Sequence, residues 1–172
     1  VDAMSVVLKT QENAGIDVIA DGELSRFNIN HPETNGMIEY FVHPLENVRI
    51  GITRADEAEF RKDEGMSFRA RPSAVVEGRL GEGMLDLPGD YKLARNLTDH
   101  SLKFTLTGPH MLSKTLLNRH YDSTPDLCMA LADLLAKQVA EIDADVVQVD
   151  EANLPGHPEE WEWALEGINV IL

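Results

Sequence analysis

Cysteine and long apolar runs are both scarce in this sequence of 172 residues. Cys128 is the only cysteine, so no internal disulfide can form, and a single thiol fits a reducing compartment. No apolar run approaches the about 20 residues that span a bilayer, and the first residues lack a signal-peptide pattern. These absences predict a cytoplasmic protein without membrane segments.

Basic residues are also few. Lys and Arg total 15 against 30 Asp and Glu, which gives a formal net charge of -15. This charge repels phosphate backbones, and no basic stripe offsets it. The sequence therefore argues against a nucleic-acid partner.

Two common site motifs are missing. The 6 histidines are scattered, and no pair has the spacing and central acid of a helix-borne zinc site. The glycines of residues 78–83 lack the context of a dinucleotide-binding loop. Among the histidines, only His110 is kept as a site candidate, because it directly follows a predicted strand end at residues 108–109.

Strand and helix patterns alternate along the chain. With 43% hydrophobic residues, the sequence can bury a single core. Helical spacing covers residues 2–15, 124–143 and the stretch after 157, whereas β-rich runs occupy 16–20, 102–107 and 146–151. This alternation of strands and helices predicts a parallel α/β fold, with residues 1–172 as one domain.

The segment 27–100 is too long for an ordinary connection. It is interpreted as an excursion that contains one strand-helix unit, with the strand at 73–77 and the helix at 91–97. Residues 54–65 form a charged run, which is interpreted as solvated surface.

Acidic residues follow two of the predicted strands. Asp21 and Glu23 follow one strand, and Asp150 and Glu151 end another. Carboxyl ends of parallel strands meet at one edge, where such acids can hold a substrate ammonium group. Asp150 and Glu151 are adjacent, so on a strand they face opposite sides, and only one can point into a site at this edge of the sheet. The alternative is that the pair provides a helix cap and a surface acid. For Asp21 and Glu23 the alternative is a simple turn.

Four motifs occur in the order seen in cobalamin-independent methionine synthases. They are QENAGIDVIADGE at 11–23, GMIEYF at 36–41, KFTLTGP at 103–109 and VQVDEA at 147–152. The chain thus resembles the carboxyl-terminal catalytic barrel of that family. The resemblance implies an α/β fold, a (β/α)8 TIM barrel of the methionine synthase/uroporphyrinogen decarboxylase type. A barrel of this kind takes about 250 residues, so the chain would be a partial barrel supplying the second to fifth strands. The missing initiator methionine and the apolar carboxyl end also predict an internal segment.

The resemblance further implies a methyltransferase, 5-methyltetrahydropteroyltriglutamate-homocysteine methyltransferase, which moves a methyl group to a zinc-bound thiol. Glu23 and Asp150 match the family acids that bind the homocysteine amino group. Zinc lowers the pKa of a thiol, and the thiolate is the nucleophile. The family's zinc ligands, a His-x-Cys motif, an acid and a further cysteine, are not present, so the sequence predicts no metal ligand in this chain.

A second departure concerns the methyl donor. The tryptophan that packs on folate after the Gly-Pro turn in the family is replaced here by HMLSKTL at residues 110–116. Arg69 and Arg71 can hold an anionic tail, although surface arginines are common. Three alternatives stay open: a zinc-dependent alkyl transferase with another donor or thiol, a metal-free decarboxylase of the uroporphyrinogen type, and an inactive half-barrel. The oligomeric state stays open as well.

Overall fold

The computed structural model describes residues 2–62 and 69–172. The helices and strands follow one another as α1 (Asp2–Asn13), β1 (Val18–Ile19), α2 (Glu39–Val42), β2 (Glu46–Arg49), α3 (Arg54–Phe60), β3 (Val75–Gly81), α4 (Leu87–Arg95), β4 (Ser101–Thr107), α5 (Pro109–Thr115), β5 (Leu117–Asn118), α6 (Thr124–Ala140), β6 (Val146–Asp150) and α7 (Trp161–Ile171). Short 3-10 turns lie at Leu24–Arg26, Leu154–Gly156 and Pro158–Glu160.

The main sheet has the strand order β1-β4-β6, and both pairings are parallel. The three strands that were predicted to end in acids or in Gly-Pro therefore lie side by side and run in the same direction. Strands β4 and β6 end together, whereas Ile19, the last residue of β1, pairs with Leu102 near the start of β4. Strand β4 is central, and its last residue, Thr107, pairs with Asp150 at the end of β6. Within the described residues the strands do not close into a barrel. The prediction of an α/β fold that forms part of a barrel is therefore confirmed.

A second, smaller sheet has the order β2-β3-β5. Strand β2 runs antiparallel to β3, and β3 runs parallel to β5. The sequence predicts one strand-helix unit in residues 27–100, and β3 followed by α4 forms such a unit. The same segment also contains β2 and α3. The small sheet therefore joins this segment to β5, which lies beyond residue 100.

The interpretation of residues 54–65 as solvated surface agrees with the exposed residues of α3, which include Arg54 and Glu59, but it is wrong for two residues of this helix. Asp56 and Phe60 are both buried in this helix. Asp56 accepts hydrogen bonds from Arg49 at 3.1 and 3.3 Å and forms an ion pair with Arg119 at 2.8 Å. Its charge is thus satisfied by one basic residue nearby in sequence, Arg49, and one distant in sequence, Arg119. Residues 63–65 of this run lie outside the described residues.

The main buried core contains residues of the main sheet, of β3 and of every helix except α3. The predicted apolar stripe of α6 is buried; its members include Leu127, Leu131, Leu134 and Leu135. Phe104 of β4 packs edge-on against Tyr91 of α4, with ring centroids 6.1 Å apart. Among the described residues, no helix combines the length and apolar character needed to cross a membrane.

Candidate active site

One face of the main sheet carries polar residues near the carboxyl ends of its strands. The parallel register pairs Thr105 with Gln148 and Thr107 with Asp150. Paired residues point to the same side of a sheet, and so do residues two apart on one strand. These four side chains therefore share a face, and a hydrogen bond of 2.7 Å from Gln148 to Asp150 agrees with this placement.

Glu23 is fixed at this face by two side chains. Its Oε1 accepts a hydrogen bond of 2.7 Å from the hydroxyl of Thr105, and its Oε2 lies 3.5 Å from Arg26. The backbone of Glu23 is left-handed, with φ 58°. A non-glycine residue rarely takes this conformation, and such strain is concentrated at functional sites. The side chain keeps 32% of its surface exposed, so the carboxylate can still accept a ligand.

Arg26 is a residue of this site that the sequence interpretation missed. It is buried, donates a hydrogen bond to the carbonyl oxygen of Thr105, and lies over the rings of Tyr40, Phe41 and Phe104 at 5.0 to 5.7 Å. Cation–π contacts of this kind offset the cost of burying a guanidinium. An arginine three residues after the predicted acid was the only signal in the sequence, and residue type alone does not reveal burial.

The other acids after β1 and β6 have different environments. Asp21 accepts a hydrogen bond of 2.9 Å from the backbone N–H of Glu23, which is the turn geometry considered as its alternative. Asp150 is half-buried, and its carbonyl oxygen accepts a hydrogen bond of 2.8 Å from the N–H of Gly108. The structure thus brings Glu23 and Asp150 to one sheet, while Asp21 shapes the turn beside them.

Glu151 points toward α5. Its carboxylate accepts hydrogen bonds of 2.8 Å from the backbone N–H groups of His110 and Met111, so it caps the first turn of this helix. The cap is in close contact with Gly108, where a Cβ atom would collide with the carboxylate. This is the helix-cap alternative considered for the pair Asp150 and Glu151.

His110 lies in a buried ion cluster, which we define as His110, Lys114, Glu151 and Glu160. The imidazole has no exposed surface. Its Nε2 lies 2.7 Å from Glu160, its Nδ1 lies 3.7 Å from Glu151, and Lys114 donates to Glu160 at 2.9 Å. His110 was predicted at the mouth, and the structure places its side chain among these buried charges.

The pKa values in the buried ion cluster follow from its charges. Burial alone lowers the pKa of His110, but the carboxylates of Glu151 and Glu160 outweigh it and leave the pKa raised. For Glu160, burial raises the pKa, but Lys114 and His110 outweigh it and leave the pKa lowered. Both shifts favour the charged forms of this pair.

Three cavities of the described chain are lined partly by residues 26–44, and Arg26 and Tyr40 line the one of about 400 Å³. A cavity of about 300 Å³ is lined by Gly22, Glu23, Arg26, Asn35 and Met37, among others. A second, of about 530 Å³, is lined by residues that include Arg69, Arg71, Glu39 and His43. Arg69 is paired with Glu39 at 2.5 Å and Arg71 with Glu57 at 3.2 Å, so neither arginine is free of acidic partners.

The described residues do not fit a zinc site of the family type. Within the described part of the chain, one group, His157, Glu159 and Glu160, has potential ligand atoms within 4.8 Å of one another. Both carboxylate oxygens of Glu160 are already bound, by Lys114 and His110. Cys128 is buried in α6, and burial raises the pKa of its thiol to about 12, so it remains neutral.

Comparison with a solved structure gives the fold. A solved B12-independent methionine synthase from Shewanella sp. W3-18-1, in complex with selenomethionine, superposes with a TM-score of 0.72 at 22% identity. The match covers 99% of this chain and 47% of that protein, so the fold corresponds to half of the synthase barrel.

Sequence comparison gives the family. The model described as "Cobalamin-independent synthase, Catalytic domain" matches residues 2–165, and the chain belongs to this family. It is 31% identical to a methionine synthase of Sulfurisphaera tokodaii over 98% of this chain and 46% of that protein. A methionine synthase of Saccharolobus islandicus is 29% identical over 98% and 47%. The chain thus spans about half the length of these relatives.

Proposed function

We propose that this chain is the part of a cytoplasmic methionine-synthase-like methyltransferase that binds the amino group of the thiol substrate, homocysteine. Glu23 and Asp150 hold the ammonium group in this proposal. The observation that carries it is the partly exposed carboxylate of Glu23, whose backbone is left-handed and which is held by Thr105 on the same sheet that ends in Asp150.

The spacing of the sheet supports this pair of acids. Thr105 and Thr107 are two residues apart, which is about 6.6 Å along a strand, and neighbouring strands lie about 4.8 Å apart. Glu23 bonds to Thr105, and Asp150 lies beside Thr107. Both carboxylates therefore lie near the carboxyl end of β4, where we propose that they hold one small ammonium group, and a hydrogen bond between charged groups is a strong one.

Thiol activation is not assigned to this chain. A bound zinc ion supplies a thiolate by lowering the thiol pKa, but Cys128 and the group around Glu160 do not fit such an ion. We therefore propose that these residues bind and orient the amino acid, and that the metal ligands are not among them. Arg69 and Arg71, which line the larger cavity, are proposed to hold the anionic part of the methyl donor, a folate or another donor.

The amino-acid proposal is tested by titrating the protein with L-homocysteine and L-methionine while following backbone amide resonances by NMR. Glu23→Gln and Asp150→Asn should each weaken the affinity roughly tenfold or more, since a hydrogen bond to a charged group contributes about 1.5–3 kcal/mol. Asp133→Asn and Glu166→Gln remove exposed acids on α6 and α7 and serve as matched controls. Shifts that spare residues 21–26 and 150, or equal affinity in all four variants, would overturn the proposal.

A second candidate is an inactive half-barrel that binds the amino acid without catalysis. This candidate is favoured because Cys128 is a neutral thiol and Glu160 is already paired, so neither suits a zinc ion. Methyl transfer to homocysteine by the protein supplied with zinc and several methyl donors would exclude it. Binding without turnover would favour it over the transferase. Decarboxylation of a porphyrinogen without added metal would instead favour the uroporphyrinogen type.

A further inference from the structure

The connection between β6 and α7, residues 151–160, is attached to α5 at both of its ends. At its start, the N–H of Gly108 donates to the carbonyl oxygen of Asp150 at 2.8 Å, and the carboxylate of Glu151 caps α5. At its end, Glu160 accepts from Lys114 at 2.9 Å and contacts Nε2 of His110 at 2.7 Å. The ring of His110 lies between the two ends, because Nε2 is hydrogen-bonded to Glu160 and Nδ1, which has no hydrogen-bond partner, lies 3.7 Å from Glu151.

The environment of the His110 ring favours a cation. Glu151 and Glu160 face it from the two ends of the connection, and Lys114 lies one turn further along α5. Trp163 of α7 stacks against the imidazole, with ring centroids 4.5 Å apart, and a protonated imidazole gains from such contact. Helix α6 adds Cys128, whose thiol stays neutral.

Charge balance in the buried ion cluster depends on one proton. Two carboxylates and one ammonium leave a net charge of -1 when His110 is neutral, and protonation of His110 brings the sum to zero. An unbalanced buried charge is costly, and it also leaves the two acids to repel each other. Loss of the proton should therefore loosen the attachment of residues 151–160 to α5.

We propose that His110 is a positioning residue for Asp150: its protonated ring joins Glu151 to Glu160 and thereby fixes the end of β6 against α5. Asp150 precedes Glu151 directly, so its orientation depends on this attachment. The inference rests on the proposed role of Asp150 in amine binding, but the coupling of His110 to Asp150 can be measured without any ligand.

The experiment follows the intact protein by NMR through the titration of His110. In the wild-type protein, the backbone resonances of Asp150 and Glu151 should shift with the same midpoint as the His110 ring. After correction for intrinsic rates, the amides of His110 and Met111 should exchange faster above that midpoint, by about tenfold for each unit that the pKa differs between attached and released states.

Two variants separate charge balance from packing. His110→Gln fixes the cluster charge at -1, so the Asp150 shift with pH should vanish and exchange should be fast throughout. His110→Gln combined with Glu160→Gln gives a net charge of zero at every pH and should restore slow exchange without a titration. His120→Gln, which removes an exposed histidine, should behave as wild type.

The inference is overturned if the Asp150 resonances ignore the His110 midpoint, or if they keep the same pH dependence in His110→Gln. It is also overturned if the double variant exchanges as fast as the single one. If His110→Gln does not fold, the wild-type titration and the double variant still decide. An unchanged methionine affinity in Asp150→Asn would instead overturn the proposed function and leave this coupling intact.

Discussion

At the scale of single residues, close packing at Gly108 fixes the junction of β4, α5 and β6. A Cβ atom there would collide with the carboxylate of Glu151, so Gly108→Ala must displace the helix cap. We expect a loss of about 1–3 kcal/mol in the free energy of unfolding, measured with urea. Gly156→Ala is the matched control, because nothing lies within 4 Å of its added Cβ. Equal stability of the two variants would show that Glu151 moves aside at no cost.

Thr105 offers a second prediction at this scale, because its hydroxyl orients Glu23. Thr105→Val removes the donor at 2.7 Å while keeping the shape of the side chain. Amino-acid affinity should fall roughly tenfold or more, because the hydroxyl donates to a charged carboxylate and such a hydrogen bond contributes about 1.5–3 kcal/mol. The control is Thr115→Val, which loses a buried hydroxyl that donates to the carbonyl oxygen of Leu112. Both variants should lose similar stability, and only Thr105→Val should lose affinity in calorimetric titrations.

At the scale of elements, segments with a strong hydrophobic period could be predicted from the sequence. Features that depend on contacts between distant residues could not. The runs that became β4, β6 and α6 carry their own pattern in the sequence. Helix α5 has only seven residues and begins at Pro109, so the sequence pattern predicts only a strand end at residues 108–109 and no helix after it. The burial of Asp56 in α3 was missed because one of its two basic partners, Arg119, is remote in sequence. Burial of Arg26 and Lys114 was missed for the same reason.

Helix α3 has a capping box that can be tested directly. Thr53 accepts a hydrogen bond from the N–H of Asp56 at 3.2 Å, and the carboxylate of Asp56 accepts from the N–H of Thr53 at 2.7 Å. Thr53→Ala should lower the free energy of unfolding by about 1 kcal/mol, whereas Thr53→Ser keeps the hydroxyl and should stay close to wild type. Denaturant titration measures both. An equal loss in the two variants would point to the methyl group of Thr53 instead of its hydroxyl.

At the scale of the whole molecule, the buried ion cluster links stability to pH. The pKa of His110 is raised in the folded protein, because Glu151 and Glu160 outweigh the effect of burial. The stability it contributes is therefore complete below the unfolded pKa of about 6.5 and is lost as pH rises through the folded pKa. The pKa of Glu160 is lowered by Lys114 and His110, which outweigh burial. Its contribution is present above about 4.5 and is lost as pH falls through the folded pKa.

The contribution of His110 to stability falls at high pH, and that of Glu160 falls at low pH. The buried ion cluster therefore contributes most between about pH 4.5 and 6.5. Other groups of this acidic chain also titrate, so the useful quantity is the difference in unfolding free energy between wild type and His110→Gln at each pH. That difference should shrink steadily as the pH rises above 6.5, because the wild-type protein alone loses a bound proton. His120→Gln, which removes an exposed histidine outside the buried ion cluster, is the matched control. A His110→Gln difference that stays constant up to pH 9 would mean that the buried imidazole is neutral throughout, and that packing against Trp163 alone holds α5 to α7.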